Sequence, residues 1–443
     1  MSVETVVFAP PRTSQILAVA AGNALEFYDF LAYAFFAGEI GRTFFPSTDA
    51  SVSLLASLAT FGAGFLMRPV GAVVIGRIGD RRGRKPAMLL SFLLMGLAMV
   101  ALAAVPAYSR IGILAPVLVI ACRLVQGFAL GGEVGPSTAY LIEAAPVRRR
   151  GLYVSFQYMG QQSAVLAVGV VGYALARNLG GAALDAWGWR IAFLAGAAVV
   201  PFGLILRTHL VETLATAPPA GAAAGPAPRS LVRMAVLGLM LLAGATIVTY
   251  VLNYMTTYAT ETLHMPKTLG FAVTVTTGLV GVIVSPIGGL LSDRFGRKPL
   301  MMAGWTVLLL ATVPAFWLIS RDRSAGALLG MAAVLATASN LAFTAILTSL
   351  TEGLPPRIRA GALGLMYAVA IAVFGGSTQF AVTWLTRLLH NPLAPAWYMT
   401  ASVAISLVAM ALRAETAPAQ AAPAQAAAIG SKARDEARAQ LEA

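Results

Sequence analysis

Five ionisable residues lie inside long apolar stretches: Glu26, Asp29, Arg68, Arg123 and Glu133. A charged side chain at the centre of a bilayer costs about 3 kcal/mol or more, so each of these residues needs a partner, water or a function. The seventh, eighth, tenth and eleventh apolar stretches have no acid or base at their centres. If protons cross on side chains, the titrating group is therefore in the first half of the chain.

Glu26 and Asp29 share one helical face with Gly22 and Tyr33, at spacings of four, seven and eleven residues. Two acids on one face can share a proton, because neighbouring like charges favour protonation of one of them. The alternative is structural, with both acids paired to arginines of neighbouring helices. Both interpretations stay open for Asp29, and pairing is favoured for Glu26. Glu133 is the third predicted proton-coupling residue.

Arg123 shares a helical face with Gln126 and Glu133. A guanidinium is a planar, bidentate donor that stays charged at any working pH. We therefore predict that Arg123 binds a substrate carboxylate or pairs with the proton-carrying acid. For Arg68, just before Pro69, an ion pair between helices fits at least as well.

Other polar residues recur at helical spacing in the fifth and seventh apolar stretches. Residues so placed line a cavity or bind a neighbouring helix, and cavity lining is favoured in these two stretches. A single polar residue in the tenth stretch fits either role. The predicted substrate-binding residues are Arg123, Gln126, Gln157, Gln161, Tyr250, Asn253, Tyr254 and Asn340.

Several classes of function find no support. The three histidines and the single cysteine show no metal-ligand spacing. No P-loop or nucleophile motif is visible, which argues against ATP-driven transport and against an enzyme. The formal net charge is +13, but Lys and Arg lie in short segments between apolar runs, unlike the basic patch of a nucleic-acid-binding domain. No metal, cofactor or nucleic-acid partner is predicted.

The composition predicts a membrane protein. Hydrophobic residues make up 58% of the chain and charged residues 11%, with a mean hydropathy of +0.78, far from a soluble domain. An apolar run of about 20 residues crosses a bilayer. The predicted spans are 16–38, 53–76, 88–106, 111–136, 152–176, 190–207, 232–256, 269–291, 300–319, 325–349, 361–386 and 396–413.

Twelve spans put both termini on the same side. Lys and Arg concentrate in the loops on that side, which predicts cytoplasmic termini. A Pro/Gly/Ala tract without apolar periodicity divides the chain into two halves. The predicted organisation is a six-helix bundle over 1–214, a linker over 215–231, a second bundle over 232–413 and a disordered cytoplasmic tail over 414–443.

Two charged turns occur once in each half. Residues 76–85 and 289–298 share the pattern G-x-x-x-D-R-x-G-R-K, and E-x-x-P-x-R-x-R begins at Glu143 and again at Glu352. This repetition indicates a duplicated six-span unit, as in carriers that work by alternating access. Because the turns lie outside the membrane midplane, we expect them to form gating ion-pair clusters within each half. The predicted gating residues are Asp80, Arg81, Arg84, Glu143, Arg150, Asp293, Arg294, Arg297, Glu352 and Arg359.

Several motifs together resemble the major facilitator superfamily, specifically its metabolite:proton symporter branch. They are GNALEFYDF at 22–30, FFP at 44–46, RPVG at 68–71, RLVQGFALGGE at 123–133 and both repeated turns. The branch includes carriers for citrate, tricarballylate, 2-oxoglutarate, shikimate and proline or betaine. Phe27 departs from the Trp that is common in the branch. The resemblance implies an all-α integral membrane protein with twelve transmembrane helices in two six-helix halves.

The buried charges and the resemblance together predict proton-coupled symport of a small organic anion by alternating access. The stretches QYMGQQ at 157–162 and NYMTTY at 253–258 look most like citrate and tricarballylate carriers, so a tricarboxylate is ranked first. Sodium coupling stays open. The alternatives are another metabolite, such as a dicarboxylate, shikimate, proline or betaine, and, from another class, a transport-like sensor. A monomer among inner-membrane lipids is expected.

Overall fold

The computed structural model describes residues 23–24, 27–82, 84–131, 138–139, 141–142, 145–208, 228–354 and 359–417. These residues form helices and connecting turns, with no strand in the described part. The α-helices are α1 (Ala37–Phe44), α2 (Ala50–Leu66), α3 (Arg68–Arg82), α4 (Arg84–Ala104), α5 (Tyr108–Ile111), α6 (Leu114–Leu130), α7 (Arg150–Asn178), α8 (Gly181–Ala183), α9 (Trp189–Thr208), α10 (Pro228–Thr257), α11 (Lys267–Phe295), α12 (Arg297–Asp322), α13 (Ala325–Gly353), α14 (Arg359–Ala370), α15 (Gly376–Leu389) and α16 (Ala394–Ala411).

Shorter elements connect or extend these helices. Residues 27–35 are helical and run into α1 after a turn at Phe36. Single π-helical segments occur at Leu184–Gly188, Tyr258–Thr262 and Ile371–Gly375, and a 3₁₀ turn at Val147–Arg149 leads into α7.

Helical segments lie at all twelve predicted spans. In the described part, eight helices are long and apolar enough to cross a membrane: Ala50–Ile75, Val147–Asn178, Val232–Thr262, Lys267–Phe295, Arg297–Asp322, Ala325–Gly353, Gly361–Leu389 and Ala394–Ala411. The shorter apolar helices Leu89–Ala104 and Leu114–Leu130 match the third and fourth spans. The sixth span matches α9, and residues 27–35 lie within the first. The all-α membrane architecture is therefore confirmed.

The helix bundle has an apolar outer surface. Leu310 is 69% exposed and Ile113 72% exposed, as expected where the surrounding medium is lipid rather than water. Polar side chains such as Asp29, Gln126 and Gln157 are instead buried in the interior. The polar groups that can serve a function therefore lie inside the bundle and at its two ends.

Glycines allow the two halves to approach closely. A Cβ atom added to Gly151 of α7 would lie 2.6 Å from the carbonyl oxygen of Gly289 of α11, and the reverse substitution meets the same obstacle. Gly62 of α2 is equally tight against Gly376 of α15. Within the first half, Gly127 of α6 packs on the backbone of Gly64 of α2. Small residues at membrane helix contacts permit such backbone proximity.

The second repeated turn is shaped by its glycine. Gly296 has φ +101°, in the left-handed region that favours glycine, and it separates α11 from α12. Asp293 consequently lies in the last turn of α11, while Arg297 begins α12. This places an acid and a base on opposite sides of a sharp bend.

Candidate functional site

A small cavity lies between the two halves, midway along the long helices. Its volume is about 30 Å³, room for about two water molecules and too little for a tricarboxylate. Substrate access therefore requires the halves to move apart. The cavity is lined by Phe27, Leu31, Gln161, Gln162, Val165, Thr246, Thr249, Tyr250, Asn253, Phe343, Tyr367 and Ile371.

Three of the predicted substrate-binding residues line this cavity: Gln161, Tyr250 and Asn253. The side-chain amide of Gln161 donates to the hydroxyl of Tyr367 at 3.3 Å, which joins α7 to α14. The sequence interpretation missed Tyr367, although the single tyrosine inside the eleventh apolar stretch was a usable signal.

Three other predicted residues lie outside the cavity wall. Gln157 is bonded to Gln161 at 3.1 Å. Tyr254 accepts from the hydroxyl of Thr383 at 3.0 Å, a contact within the second half. Asn340 donates to the carbonyl of Ala336 within its own helix, and its side-chain oxygen accepts from Ser285 at 3.2 Å. Tyr254 and Asn340 therefore connect helices in this conformation, whereas Gln157 supports a cavity residue.

A chain of buried polar side chains links the helical residues 27–35 to α6. Nη1 of Arg123 donates to Oε1 of Gln126 at 2.6 Å, and Nε2 of Gln126 donates to Oδ1 of Asp29 at 3.1 Å. Asp29, Arg123 and Gln126 are all buried. The expected proximity of Asp29 and Arg123 is present, but a neutral amide stands between the two charges. The other two predicted proton-coupling residues, Glu26 and Glu133, lie outside the described residues.

Arginines and aromatic rings pack together beside this chain. The Arg68 guanidinium lies 5.0 Å from the centroid of the Phe30 ring, and that of Arg123 lies 5.2 Å from the same ring. Phe30 in turn contacts Tyr250 edge-on, with the centroids 6.2 Å apart. Since Tyr250 also lines the cavity, the Phe30 and Tyr250 rings connect the two cations to the cavity wall.

The bundle end that carries the repeated turns 76–85 and 289–298 is here called the motif end. Arg297 donates to Oδ1 of Asp293 at 2.6 Å and makes a bidentate pair with Glu352, at 3.1 Å for each bond. These contacts join three of the four residues predicted to form an ion-pair cluster within the second half, of which Arg359 is the fourth. The same Asp293 carboxylate also accepts from the backbone N–H groups of Gly151 at 2.8 Å and Leu152 at 2.9 Å. It thereby caps α7 of the other half, a contact that the sequence interpretation did not include.

The remaining predicted gating residues contribute less to the described contacts. Arg359 donates to the carbonyl of Leu354 at 3.3 Å, and Arg294 packs on the Phe295 ring. Arg150 begins α7, and its Nε has no hydrogen-bond partner among the described residues. Glu143 lies outside the described residues. For Asp80, Arg81 and Arg84, the description covers the backbone of α3 and α4 but not the side chains.

Glu415, after the last span, also belongs to the motif end. Its two carboxylate oxygens accept from the backbone N–H groups of Arg297 at 3.0 Å and Lys298 at 2.9 Å. A carboxylate at a helix N-terminus satisfies free N–H groups and complements the helix dipole. Lys298 returns the contact by donating to the carbonyls of Ala411 and Arg413, both at 2.8 Å. The beginning of the predicted tail is thus bonded to α12.

The opposite end of the bundle, here called the far end, carries a charge network between the halves. Lys267 of α11 donates to Glu39 at 2.7 Å and to Asp185 at 2.5 Å. Arg42 of α1 donates to Asp185 at 2.9 Å and to Glu261 at 3.2 Å. The sequence interpretation missed these residues, because they lie beyond the predicted spans or near their ends and belong to no recurring motif.

Asp185 stays ionised within this network. Burial raises the pKa of its carboxyl, but the hydrogen bond and charge of Lys267, with the charge of Arg42, outweigh that effect and hold the pKa below its usual 3.8. The far end is therefore closed by salt bridges, with an additional exposed pair between Asp49 and Arg387.

The closures at both ends and the small central cavity are features expected of an occluded carrier. In the comparison with known families, residues 19–377 match the Major Facilitator Superfamily model. The chain belongs to the Major Facilitator Superfamily. The resemblance seen in the sequence is confirmed, and the protein is a multi-pass membrane transporter rather than an enzyme.

Individual relatives agree with this membership. The citrate-proton symporter of Klebsiella pneumoniae is 35% identical over 403 residues, 90% of each chain. The proline/betaine transporter of Escherichia coli K12 is 33% identical over 416 residues, 89% of this chain and 81% of the relative. The xylose transporter XylE of E. coli, in a partially occluded inward-open conformation, superimposes with a TM-score of 0.74 at 19% identity. The match covers 91% of this chain and 98% of XylE and shows a likeness of fold.

Proposed function

We propose that this protein is a proton-coupled symporter of a small organic anion, with citrate or a related tricarboxylate such as tricarballylate as its first candidate substrate. The observation that carries the proposal is the excess of positive charge beside the central cavity. Arg68 and Arg123 are both buried, whereas the described residues around them supply one carboxylate, Asp29. With Asp29 protonated, the two guanidinium groups carry two positive charges, which a ligand with two or more carboxylates would balance.

The hydrogen-bonding capacity of the arginines points in the same direction. Nε and Nη2 of Arg68 and Nε of Arg123 have no hydrogen-bond partner among the described residues. Buried guanidinium donors without acceptors are costly, and a carboxylate is the acceptor that matches their planar geometry. In this proposal, separation of the halves moves the Phe30 and Tyr250 rings and opens the arginines to the cavity.

Coupling to protons follows from the charge that must move. Each elementary charge crossing 100 mV is worth about 2.3 kcal/mol, so a polyanion entering a negative interior needs cations to accompany it. Asp29 is the described acid that can take up a proton within hydrogen-bonding reach of the Arg123 chain. The relative that is 35% identical is a citrate-proton symporter, which supports protons over sodium.

The two closures give the proposed transport cycle its gates. The Asp293 contacts close the motif end, and the Lys267 and Arg42 contacts close the far end. The bias of Lys and Arg assigns the motif end and both termini to the cytoplasm. The proposed setting is the inner membrane, with the protein acting as a monomer surrounded by lipid.

A second candidate substrate is a zwitterion such as proline or betaine. It is favoured by the aromatic part of the cavity wall, formed by Phe27, Tyr250, Phe343 and Tyr367. Aromatic faces attract quaternary ammonium groups, and a proline/betaine transporter is 33% identical. The paired guanidinium groups of Arg68 and Arg123 would be less useful for a ligand without net charge.

The test is counterflow of labelled citrate in proteoliposomes, with tricarballylate, shikimate and proline as competitors. We expect citrate exchange that tricarballylate inhibits and that Arg123→Gln abolishes. The matched control is Arg190→Gln, because Arg190 bonds to the carbonyls of Ala103, Val105 and Ala186 within the first half. Absence of carboxylate exchange, inhibition by proline alone, or full exchange by Arg123→Gln would overturn the proposal.

A further inference from the structure

Gln126 is bonded to both charges of the buried chain, and the chemistry of its partners determines its orientation. A guanidinium can only donate hydrogen bonds and an ionised carboxylate can only accept them. A primary amide has one acceptor oxygen and one donor nitrogen, so it can join Arg123 to Asp29 only with Oε1 toward the arginine and Nε2 toward the acid. The distances of 2.6 Å and 3.1 Å fit this orientation. This orientation satisfies Arg123 and an ionised Asp29 at the same time.

Protonation of Asp29 gives the amide a second possible arrangement. The acid then carries an O–H donor, while Oδ2 of Asp29 has no hydrogen-bond partner among the described residues. The carbonyl oxygen of Gln126 is the acceptor within reach, and a half-turn of the terminal amide presents it to the acid. Such sp³–sp² torsions have broad minima, so the rotation is easily accessible. After it, the amide N–H₂ group faces Arg123, where two donors oppose each other.

From this geometry we infer that Gln126 is the positioning residue that couples proton binding at Asp29 to substrate binding at Arg123. This inference rests on the proposed function and deepens it. With Asp29 ionised, Nη1 of Arg123 is occupied by the amide oxygen. With Asp29 protonated, the amide releases Arg123, whose Nη1 and charge become available to a substrate carboxylate. The proton comes from water on one side of the membrane, resides on the Asp29 carboxylate and returns to water on the other side.

A relay through an amide differs functionally from a direct ion pair. Asp29 and Arg123 do not form a direct ion pair in the described part of the chain. A direct buried pair would resist opening, because each partner would leave the other as an unpaired charge. The neutral amide keeps the two charges connected while allowing each to change partner. Reciprocity then requires that substrate binding favour protonation of Asp29 by the same factor.

Asp29 has charged or titratable neighbours on its own helix and on three others. In the described part of the chain, these groups are Arg123 and Cys122 of α6, Tyr28 and Tyr33 of its own helix, and, beyond the Phe30 ring, Arg68 of α3 and Tyr250 of α10. Among the described side chains, Gln126 alone bonds to both Asp29 and Arg123. A change at Gln126 therefore acts on both charges at once.

The test compares Gln126→Leu and Gln126→Asn with the wild type. Leucine keeps most of the volume and removes both polar atoms, whereas asparagine is one methylene too short to reach both partners. The matched control is Gln379→Leu, because Gln379 is also buried but neither its amide nitrogen nor its oxygen has a partner among the described residues. All four proteins are reconstituted as full chains.

Citrate binding is measured across a range of pH. In the wild type we expect acidification to strengthen binding roughly 5-fold or more, the usual size of coupling between sites. In both Gln126 variants we expect the ratio to fall to within about 2-fold and accumulation driven by a proton gradient to be lost. The titration of citrate itself is the same for every protein and cancels in the comparison.

A second readout does not depend on citrate. Infrared spectroscopy follows the protonated carboxyl band of Asp29, identified by its loss in Asp29→Asn. We expect Gln126→Leu to move its titration to higher pH, because the ionised acid loses a donor, and Gln379→Leu to leave it unchanged. Unchanged titration and unchanged pH dependence in the Gln126 variants, or equal effects in Gln379→Leu, would overturn the inference. A wild type that binds no citrate would instead contradict the proposed substrate, and the infrared comparison would still decide the role of Gln126.

Discussion

Asp293→Asn is expected to open the motif end selectively. The Asp293 carboxylate bonds to the N–H groups of Gly151 and Leu152 across the two halves, and to Arg297 within its own half. Contacts within one half survive when the halves separate, so their contributions cancel between the closed and open states. The two bonds to α7 are the ones that break on opening. Asparagine keeps a single oxygen acceptor and carries no charge.

The size of the effect follows from these two bonds. A hydrogen bond to a charged group contributes about 1.5 kcal/mol or more, and a neutral one about 1 kcal/mol. Two charge-assisted bonds are replaced by one neutral bond, so the closed state loses about 2 kcal/mol. Since 1.4 kcal/mol is a factor of ten, the ratio of open to closed motif end rises roughly 30-fold.

Spin labels on either side of the motif end measure this change. With the single native cysteine Cys122 replaced by Ser, labels are placed at the exposed positions Val147 and Leu412. Asp293→Asn should move the distance distribution to longer values while citrate affinity stays close to the wild type. Asp322→Asn is the matched control, because the hydrogen bond of that acid among the described residues is to nearby Ser324. An unchanged distribution, or lost affinity without a change of distance, would refute the reasoning.

Three further predictions concern the charges at the two ends. Lys267→Gln removes bonds to Glu39 and Asp185 and should open the far end by up to about 2 kcal/mol, about 1 kcal/mol for each partly exposed pair, which is a shift of up to roughly 30-fold. Greater alkylation of a cysteine introduced at the far end would report the opening, and Lys267→Arg should restore closure. Glu415→Gln should lower the free energy of unfolding by about 1 kcal/mol through a weakened helix cap, which denaturant titration measures against Glu415→Asp. Because the pKa of Asp185 is held below 3.8, the contribution of its ion pairs to closure of the far end persists at higher pH and is lost only in stronger acid. Opening of the far end already at neutral pH would contradict this.

The helices were predictable because apolar length is a local property of the sequence. Spans such as 269–291 and 325–349 fall inside α11 and α13, since about 20 apolar residues have one stable arrangement in a bilayer. The chemistry of single residues was also readable, because an acid or a base in an apolar run has few acceptable environments. Asp29 and Arg123 were identified in this way.

The partners of these residues were less predictable, because they depend on which helices meet. Helical spacing placed Gln126 on the same face of α6 as Arg123. The bond from Gln126 to Asp29, however, requires α6 to pack against the helical residues 27–35. Asp293 was expected to pair within its own half, and its bonds to α7 depend on the close approach of Gly151 and Gly289. Sequence spacing carries no information on contacts between residues that lie far apart in the chain, such as Asp29 and Gln126.

The strengths of the two closures favour reversible alternation between them. At the motif end, two charge-assisted bonds to α7 contribute about 3 kcal/mol. At the far end, partly exposed pairs of Lys267 and Arg42 with residues of the other half contribute up to about 1 kcal/mol each, so the totals are similar. A much stronger closure at one end would trap the carrier, because a bound ligand shifts such an equilibrium by only about 1–3 kcal/mol. Closures of comparable, modest strength let proton and substrate binding decide which end opens.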